Sequence, residues 1–256
     1  MLSRLFKFLI IFGAFIFVMK KCGYHQGCQR FSFLRGTSIH GEGTITKQTR
    51  DVGVFTKLSL ESSADVEIVQ GTTSSVVVET YPNLMEHIET VVEDGTLRIR
   101  QKNNTSLSFS GNNGIKIYIT NPSYNEIHVR GSGNIVANSK ITSPDLNISV
   151  AGSGDAKFSD LATTKSEVNI TGSGNITIDN GNADNLDISV VGSGDAHLIN
   201  FPTKTVNAKV TGSGNLSCNA TEKYDLRVSG SGEIRYKKTN ASVNSHSSGS
   251  GSIEVE

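Results

Sequence analysis

The sequence predicts an all-β fold, a parallel β-solenoid whose coils are each about 20 residues long. Three observations predict it: one tripeptide recurs at nearly constant spacing, apolar residues alternate with polar ones on both sides of it, and glycine is abundant while proline is scarce. Gly-Ser-Gly begins at Gly131, Gly152, Gly172, Gly192, Gly212, Gly230 and Gly249, at intervals of 21, 20, 20, 20, 18 and 19 residues. It closes at Gly133, Gly154, Gly174, Gly194, Gly214, Gly232 and Gly251. A fixed period of this length is the signature of units that stack in register, each on the last. Hairpins in an antiparallel sandwich would allow the same local turns, but not the constant period. With neighbouring strands ~4.8 Å apart, seven coils make a column on the order of 35 Å long.

Two sets of apolar residues flank each tripeptide. Four and two positions before it stand Ile127/Val129, Ile148/Val150, Val168/Ile170, Ile188/Val190, Ala208/Val210 and Leu226/Val228. After it come Asn134, Asp155, Asn175, Asp195, Asn215 or Glu233, then Ile135, Ala156, Ile176, Ala196, Leu216 or Ile234. Two positions further on are Ala137, Phe158, Ile178, Leu198, Cys218 and Tyr236. Period-two alternation across a glycine turn reads as strand, turn, strand. The coils with Ala156 and Ala196 carry Phe158 and Leu198 beside them, the volume compensation a close-packed core requires. The glycines are expected at positive φ, so Gly174→Val should cost more than ~1 kcal/mol and Asn175→Ala less. A second, irregular polar turn, as at Asp184-Asn185 or Pro202-Thr203-Lys204, is expected to return the chain to the next coil.

In chain order, residues 1–21 come first. Arg4 and Lys7 precede an apolar run over 8–19, twelve residues against the ~20 of a spanning helix. That layout is an export signal or a membrane anchor. Cys22 follows it as a candidate lipidation site, although Lys20 and Lys21 fit such a site poorly. A cleaved product, a lipoprotein and a retained anchor all stay open. Cys22 and Cys28 are close enough to pair in an oxidising compartment, and two unpaired thiols are the alternative. Residues 22–45 read as linker, and residues 46–256 as the solenoid domain, with regular repeats from about 125. The stretch Leu58 to Val66 looks like a repeat without its glycines, which would start the solenoid near residue 50. Residues 71–120 break the period: a strand at 76–79, one helical turn at 82–86, a hairpin at Asp94-Gly95, further strands at 97–99 and 115–119, and a protruding loop over 101–114. At the far end, the serine-rich stretch 243–252 cannot fill a core stripe.

At these residues the chain resembles the putative auto-transporter adhesin head GIN domain family, a domain of cell-envelope proteins found chiefly in Bacteroidota. The Gly-Ser-Gly-Asn/Asp repeats, the segment 58–71 and the Asp94-Gly95 hairpin carry the likeness, over roughly residues 50–250. The resemblance implies a right-handed β-helix-like superhelix with Gly-Ser-Gly turns between its sheets, and a role in adhesion without established catalytic residues.

Composition narrows the partners. The 24 basic and 24 acidic residues cancel, so nucleic acid lacks the cationic surplus it needs. Four basic residues lie in 1–21, which leaves the exported part with 20 basic and 24 acidic groups. The exposed column Asn134, Asp155, Asn175, Asp195, Asn215, Glu233 is the sharpest candidate for Ca²⁺, but one side chain per coil with alternate members uncharged fits a turn-capping ladder better. Asp155 and Asp195, two coils apart, are the pair a glycosidase would need, yet nothing in the pattern sets them apart. Histidines 25, 40, 87, 128, 197 and 246 are too scattered for a local metal motif, and seven equivalent serines such as Ser132 indicate turn geometry rather than nucleophiles. Cys218 falls on the inward set and reads as a small buried residue.

No catalytic, cofactor or metal residue is therefore assigned. The reading is a non-catalytic exported protein of the cell envelope (periplasm, outer membrane or cell surface) with adhesin-like binding of extended ligands such as glycans or other surface polymers. Self-association is a further partner class, and membrane contact is expected only through the N-terminal segment. The alternatives are a structural or envelope-stress-sensing scaffold anchored in the membrane, and a polysaccharide-active β-helix enzyme.

Overall fold

Apolar alternation on both sides of each Gly-Ser-Gly gives strands with one buried face, and equal repeat length lets each strand lie on its predecessor. The computed structural model of the chain describes residues 37–102, 105–109 and 114–256. Segment 1–21, with Cys22 and Cys28, lies outside them. The fold is all-β, a solenoid of about six turns. Gly131, Gly152, Gly172, Gly192, Gly212, Gly230 and Gly249 pair in one unbroken register, so the seven corners stack directly. Every ladder between these repeats is parallel, which excludes the antiparallel sandwich.

The two glycines of each corner serve different needs. Gly172 takes φ 124°, and the first glycine of every other tripeptide is also at positive φ. The second glycine is not, contrary to the sequence expectation. Gly174 is required because a Cβ there would overlap the carbonyl oxygen of Gly154 one turn away and press on Val150 Cγ1. The corner is drawn tight by paired hydrogen bonds: the amides of Ser173 and Gly174 both donate to the Gly152 carbonyl, at 2.9 and 3.1 Å.

The second polar turn is a bend within continuous strands rather than an irregular loop. Asn134–Gly152, Ala156–Gly172 and Ala196–Gly212 each run through it. Small buried residues stack at the bend: Ser143 on Thr163, Ala183 on Thr203, and Thr203 on Ala220. The Ser143 hydroxyl donates to the Asp145 carbonyl (2.7 Å) and Thr163 to that of Lys165 (2.8 Å), closing the bend locally. Inside, both apolar columns are buried as their spacing indicates, including Ala156 beside Phe158 and Ala196 beside Leu198, except at Tyr236, which is only partly buried. Cys218 is fully enclosed, and burial pushes its thiol up to about 12.

Residues 71–120 break the sequence period without leaving the column. Thr96–Gln101 and Lys116–Asn121 run parallel to Lys57–Glu61 and Asp65–Gln70, which in turn run parallel to Glu126–Gly131 and the start of Asn134–Gly152. The stacking order is thus not the chain order. The segment around Leu58 is a turn without its glycines, as read: Gly133 N–H donates to Ser62 O and Asn134 N–H to Ala64 O, both at 3.1 Å. Antiparallel strands then close this end, Ile88–Glu93 on Thr96–Gln101 through the Asp94-Gly95 hairpin, Ser75–Thr80 on Lys116–Asn121, and Thr46–Arg50 on Ser75–Thr80. A 3-10 turn, Pro82–His87, stands at the expected helical turn. Two stretches read as irregular contain strand: Thr37–His40, in the 22–45 linker, pairs in parallel with Thr105–Ser108, in the 101–114 loop. At the other end Ser242–Gly249 is exposed throughout, with Ser245 and Ser247 registered on Leu226 and Val228.

Candidate functional site

The Asn/Asp column beside the corners is occupied by structural work. The Asp155 amide donates to Asn134 Oδ1 (3.1 Å), Asn175 to Asp155 Oδ1 (2.9 Å), Asp195 to Asn175 Oδ1 (3.0 Å) and Asn215 to Asp195 Oδ1 (2.8 Å). The side-chain amides of Asn134, Asn175 and Asn215 also donate to Asp65, Asp155 and Asp195 at 2.8–3.0 Å. This explains the strict alternation, since two neighbouring carboxylates would repel and an interposed Asn donor bonds to the acid before it. No group of three or more His, Cys, Asp or Glu side chains suited to a metal ion occurs among the described residues.

The other sequence candidates do not assemble into a reaction centre. The corner serines, Ser132 and its equivalents, make no hydrogen bond to a histidine or carboxylate among the described residues. His128 faces Glu126 (3.4 Å), His87 faces Glu86 (3.7 Å) and His40 faces Ser108 (3.2 Å), each on a different element. His197 and His246 are exposed.

A second ladder, which the sequence reading passed over, lies on another face. Glu126, Asn147, Glu167, Asp187, Asn207, Asp225 and Asn244 are in register, five positions before each corner. All seven are Asn, Asp or Glu, and that regularity was the available signal. Here no side chain accepts from a backbone amide. Its bonds stay on the surface, as from Asn169 Nδ2 to Glu167 (2.9 Å) and from Asn207 Nδ2 to Asp187 (3.3 Å). The hydrogen bond from Lys57 (2.7 Å), against partial burial and with help from His128, holds the Glu126 carboxyl below the usual carboxylate range.

Three adjoining depressions follow this ladder along the column. The first is lined by Asn147, Pro144, Asp145 and Lys165, the second by Lys165, Asp187, Asn207 and Arg227, and the third by Glu167, Asp187, Lys209 and Arg227. Shared walls at Lys165, Glu167, Asp187 and Arg227 join them into one polar groove. Chemically, such a surface can exchange hydrogen bonds with a polyhydroxylated or charged chain at one contact per turn.

No functionally curated protein matches the chain. Solved structures do. An adhesin-labelled structure from Bacteroides fragilis ("putative adhesin") has 24% identity and a TM-score of 0.78, over 85% of this chain and all of that one. A second, from Parabacteroides distasonis, also titled a putative adhesin, has 24% identity and a TM-score of 0.71, over 86% of this chain and all of that one. A third, from the same organism and titled a putative lipid binding protein, has 25% identity and a TM-score of 0.69, with the same coverage. The family model described as "Putative auto-transporter adhesin, head GIN domain" matches residues 54–240, most of the solenoid. The chain belongs to that head GIN domain family.

Proposed function

We propose that the chain is a non-catalytic, exported protein of the cell envelope that holds an extended polymer, such as a glycan, lengthwise along the groove. The observation that carries this is the ladder from Glu126 to Asn244, which sets an Asn, Asp or Glu side chain on each turn and spends none of them on backbone capping. Strand spacing sets these groups ~4.8 Å apart, so a ligand with repeating polar groups meets a repeating row of partners. Individually weak contacts then add along the chain, as in multivalent binding. Family membership supports an adhesin-type role, and the basic-then-apolar segment 1–21 supports export.

The test is to incubate the purified protein with a panel of glycans and envelope polymers and follow both retention and chain length. Retention of a polymer at unchanged length is expected. New chain ends would replace this reading with an enzyme, and no retention of any polymer would favour a structural role.

A further inference from the structure

The charge along the groove is not uniform. Toward the closed end carboxylates prevail: Glu126, which is paired with Lys57, Asp145 and Glu167 line the first depression against Lys165, which borders the second depression as well. Toward the other end cations gather. Lys165, Lys209, Lys223 and Arg227 line the second and third depressions together with Glu167, Asp187 and Asp225, four cations against three carboxylates. This local surplus sits on an otherwise acidic exported domain.

Three of these cations are unspent. Lys165, Lys209 and Lys223 make no ion pair among the described residues, whereas Arg227 takes up Asp225 at 3.2 Å. Register sharpens the arrangement. Lys209 stacks directly on Arg227, and Arg227 on His246, while Lys165 and Lys223 stand in the column on the opposite side of the Asp187–Asn207–Asp225 row. Like charges directly opposite on neighbouring strands destabilise a sheet. An anion seated between them would relieve that repulsion and gain charge-assisted hydrogen bonds.

We propose that the basic half of the groove anchors the acid groups of an acidic polysaccharide, one carrying a carboxylate on its sugar units. The proposal rests on the reading of this face as a polymer-binding groove. The central row of Asp187, Asn207 and Asp225 takes sugar hydroxyls, which both donate and accept. The flanking Lys209 and Arg227 on one side, and Lys165 and Lys223 on the other, take the carboxylates. A polyanion without hydroxyls would leave the central carboxylates facing like charge, and a neutral glycan would leave the lysines unmatched.

Binding of the full chain is measured against three probes: alginate as a polyuronate, dextran as a neutral glycan, and poly-glutamate as a polyanion without sugar. Alginate is expected to bind about tenfold or more tighter than either of the others, and more weakly as salt rises. Lys209→Gln with Lys223→Gln should weaken alginate binding by about tenfold or more. The charge-matched control Lys116→Gln with Lys157→Gln, outside the groove, should leave it unchanged; in thermal melts the Lys209/Lys223 variant, relieved of the Lys209–Arg227 repulsion, should be no less stable than the parent, and the control should remain cooperatively folded. Equal binding of dextran and alginate, or an unaffected Lys209/Lys223 variant, would overturn the acid anchor while leaving the groove reading intact. Equal binding of poly-glutamate would overturn the sugar. Failure of all three probes, with no other polymer retained, would overturn the groove reading itself.

Discussion

At Gly174 an added Cβ would run into the Gly154 carbonyl oxygen and Val150 Cγ1, whereas at Gly95, with φ 72°, it would meet nothing within 4 Å. The first is a limit of space and the second a limit of backbone conformation. Gly174→Ala should therefore lower stability by about 1–3 kcal/mol or more, and Gly174→Asn should be no better, although Asn tolerates positive φ. Gly95→Asn should cost only a few tenths of a kcal/mol, because Asn adopts that region readily. Chemical denaturation of the three variants checks the order. The tripeptide spacing showed where the chain turns, but not which glycine answers to torsion and which to crowding, since crowding depends on an atom 20 residues away.

The alternating Asn/Asp column makes a separate residue-scale prediction. Asn175→Asp keeps the acceptor for the Asp195 amide but sets a carboxylate between Asp155 and Asp195. Like charges in contact disfavour the ionised form in the folded state, so that state holds protons more tightly than the unfolded chain. The variant's deficit should then be largest at neutral pH and shrink as pH falls through the carboxylate range. Thermal melts at pH 7 and pH 4 measure it, and a deficit that does not shrink in acid would contradict the ladder.

Among the elements, the bend opposite the glycine corner is the one that sequence patterning disguised. Pro202-Thr203-Lys204 and Asp184-Asn185 have turn-like composition, yet the ladder continues past both, with a register shift between Thr203 and Thr205; where the buried bend residue carries a hydroxyl, it donates to a carbonyl at the bend. The single Thr163 hydroxyl proton is shared between Lys165 O (2.8 Å) and Pro144 O (3.0 Å). Thr163→Val keeps the shape and removes these bonds, and should cost about 1–3 kcal/mol. Urea denaturation is the measure, and a neutral effect would place the origin of the bend elsewhere. The inward columns, by contrast, were legible residue by residue, because period-two alternation places every second side chain on one face and volume compensation acts between neighbours. The groove ladder was equally regular, with Asn, Asp or Glu five positions before every corner. It was obscured by the more conspicuous column beside the glycines, and only the hydrogen bonds separate the ladder that caps backbone from the one that does not.

For the whole molecule, the solenoid and its period were readable because a repeat writes the same constraints many times. The closed end was not. Its strands pair out of chain order, with Thr96–Gln101 stacked below Lys57–Glu61 and three antiparallel strands added beyond. Apart from the Asp94-Gly95 hairpin, which its turn residues exposed, nothing repeats there, so each remaining pairing is a single long-range event without a pattern to expose it. The opposite end ends in polarity, with Ser245 and Ser247 where other turns place Leu226 and Val228, as suits a terminal turn that faces water. Between these two ends the column presents one continuous polar groove, and the functional reading depends on that groove being where a polymer lies. Hydrogen exchange of the full chain with and without bound polymer tests it most directly. Protection should be confined to the strand segments that carry the groove, around 145–147, 165–169, 185–189, 205–209 and 223–227, with the corner ladder at 155, 175 and 195 unchanged. Protection centred on the corner ladder, or on the outward face around Lys157 and His197, would contradict it.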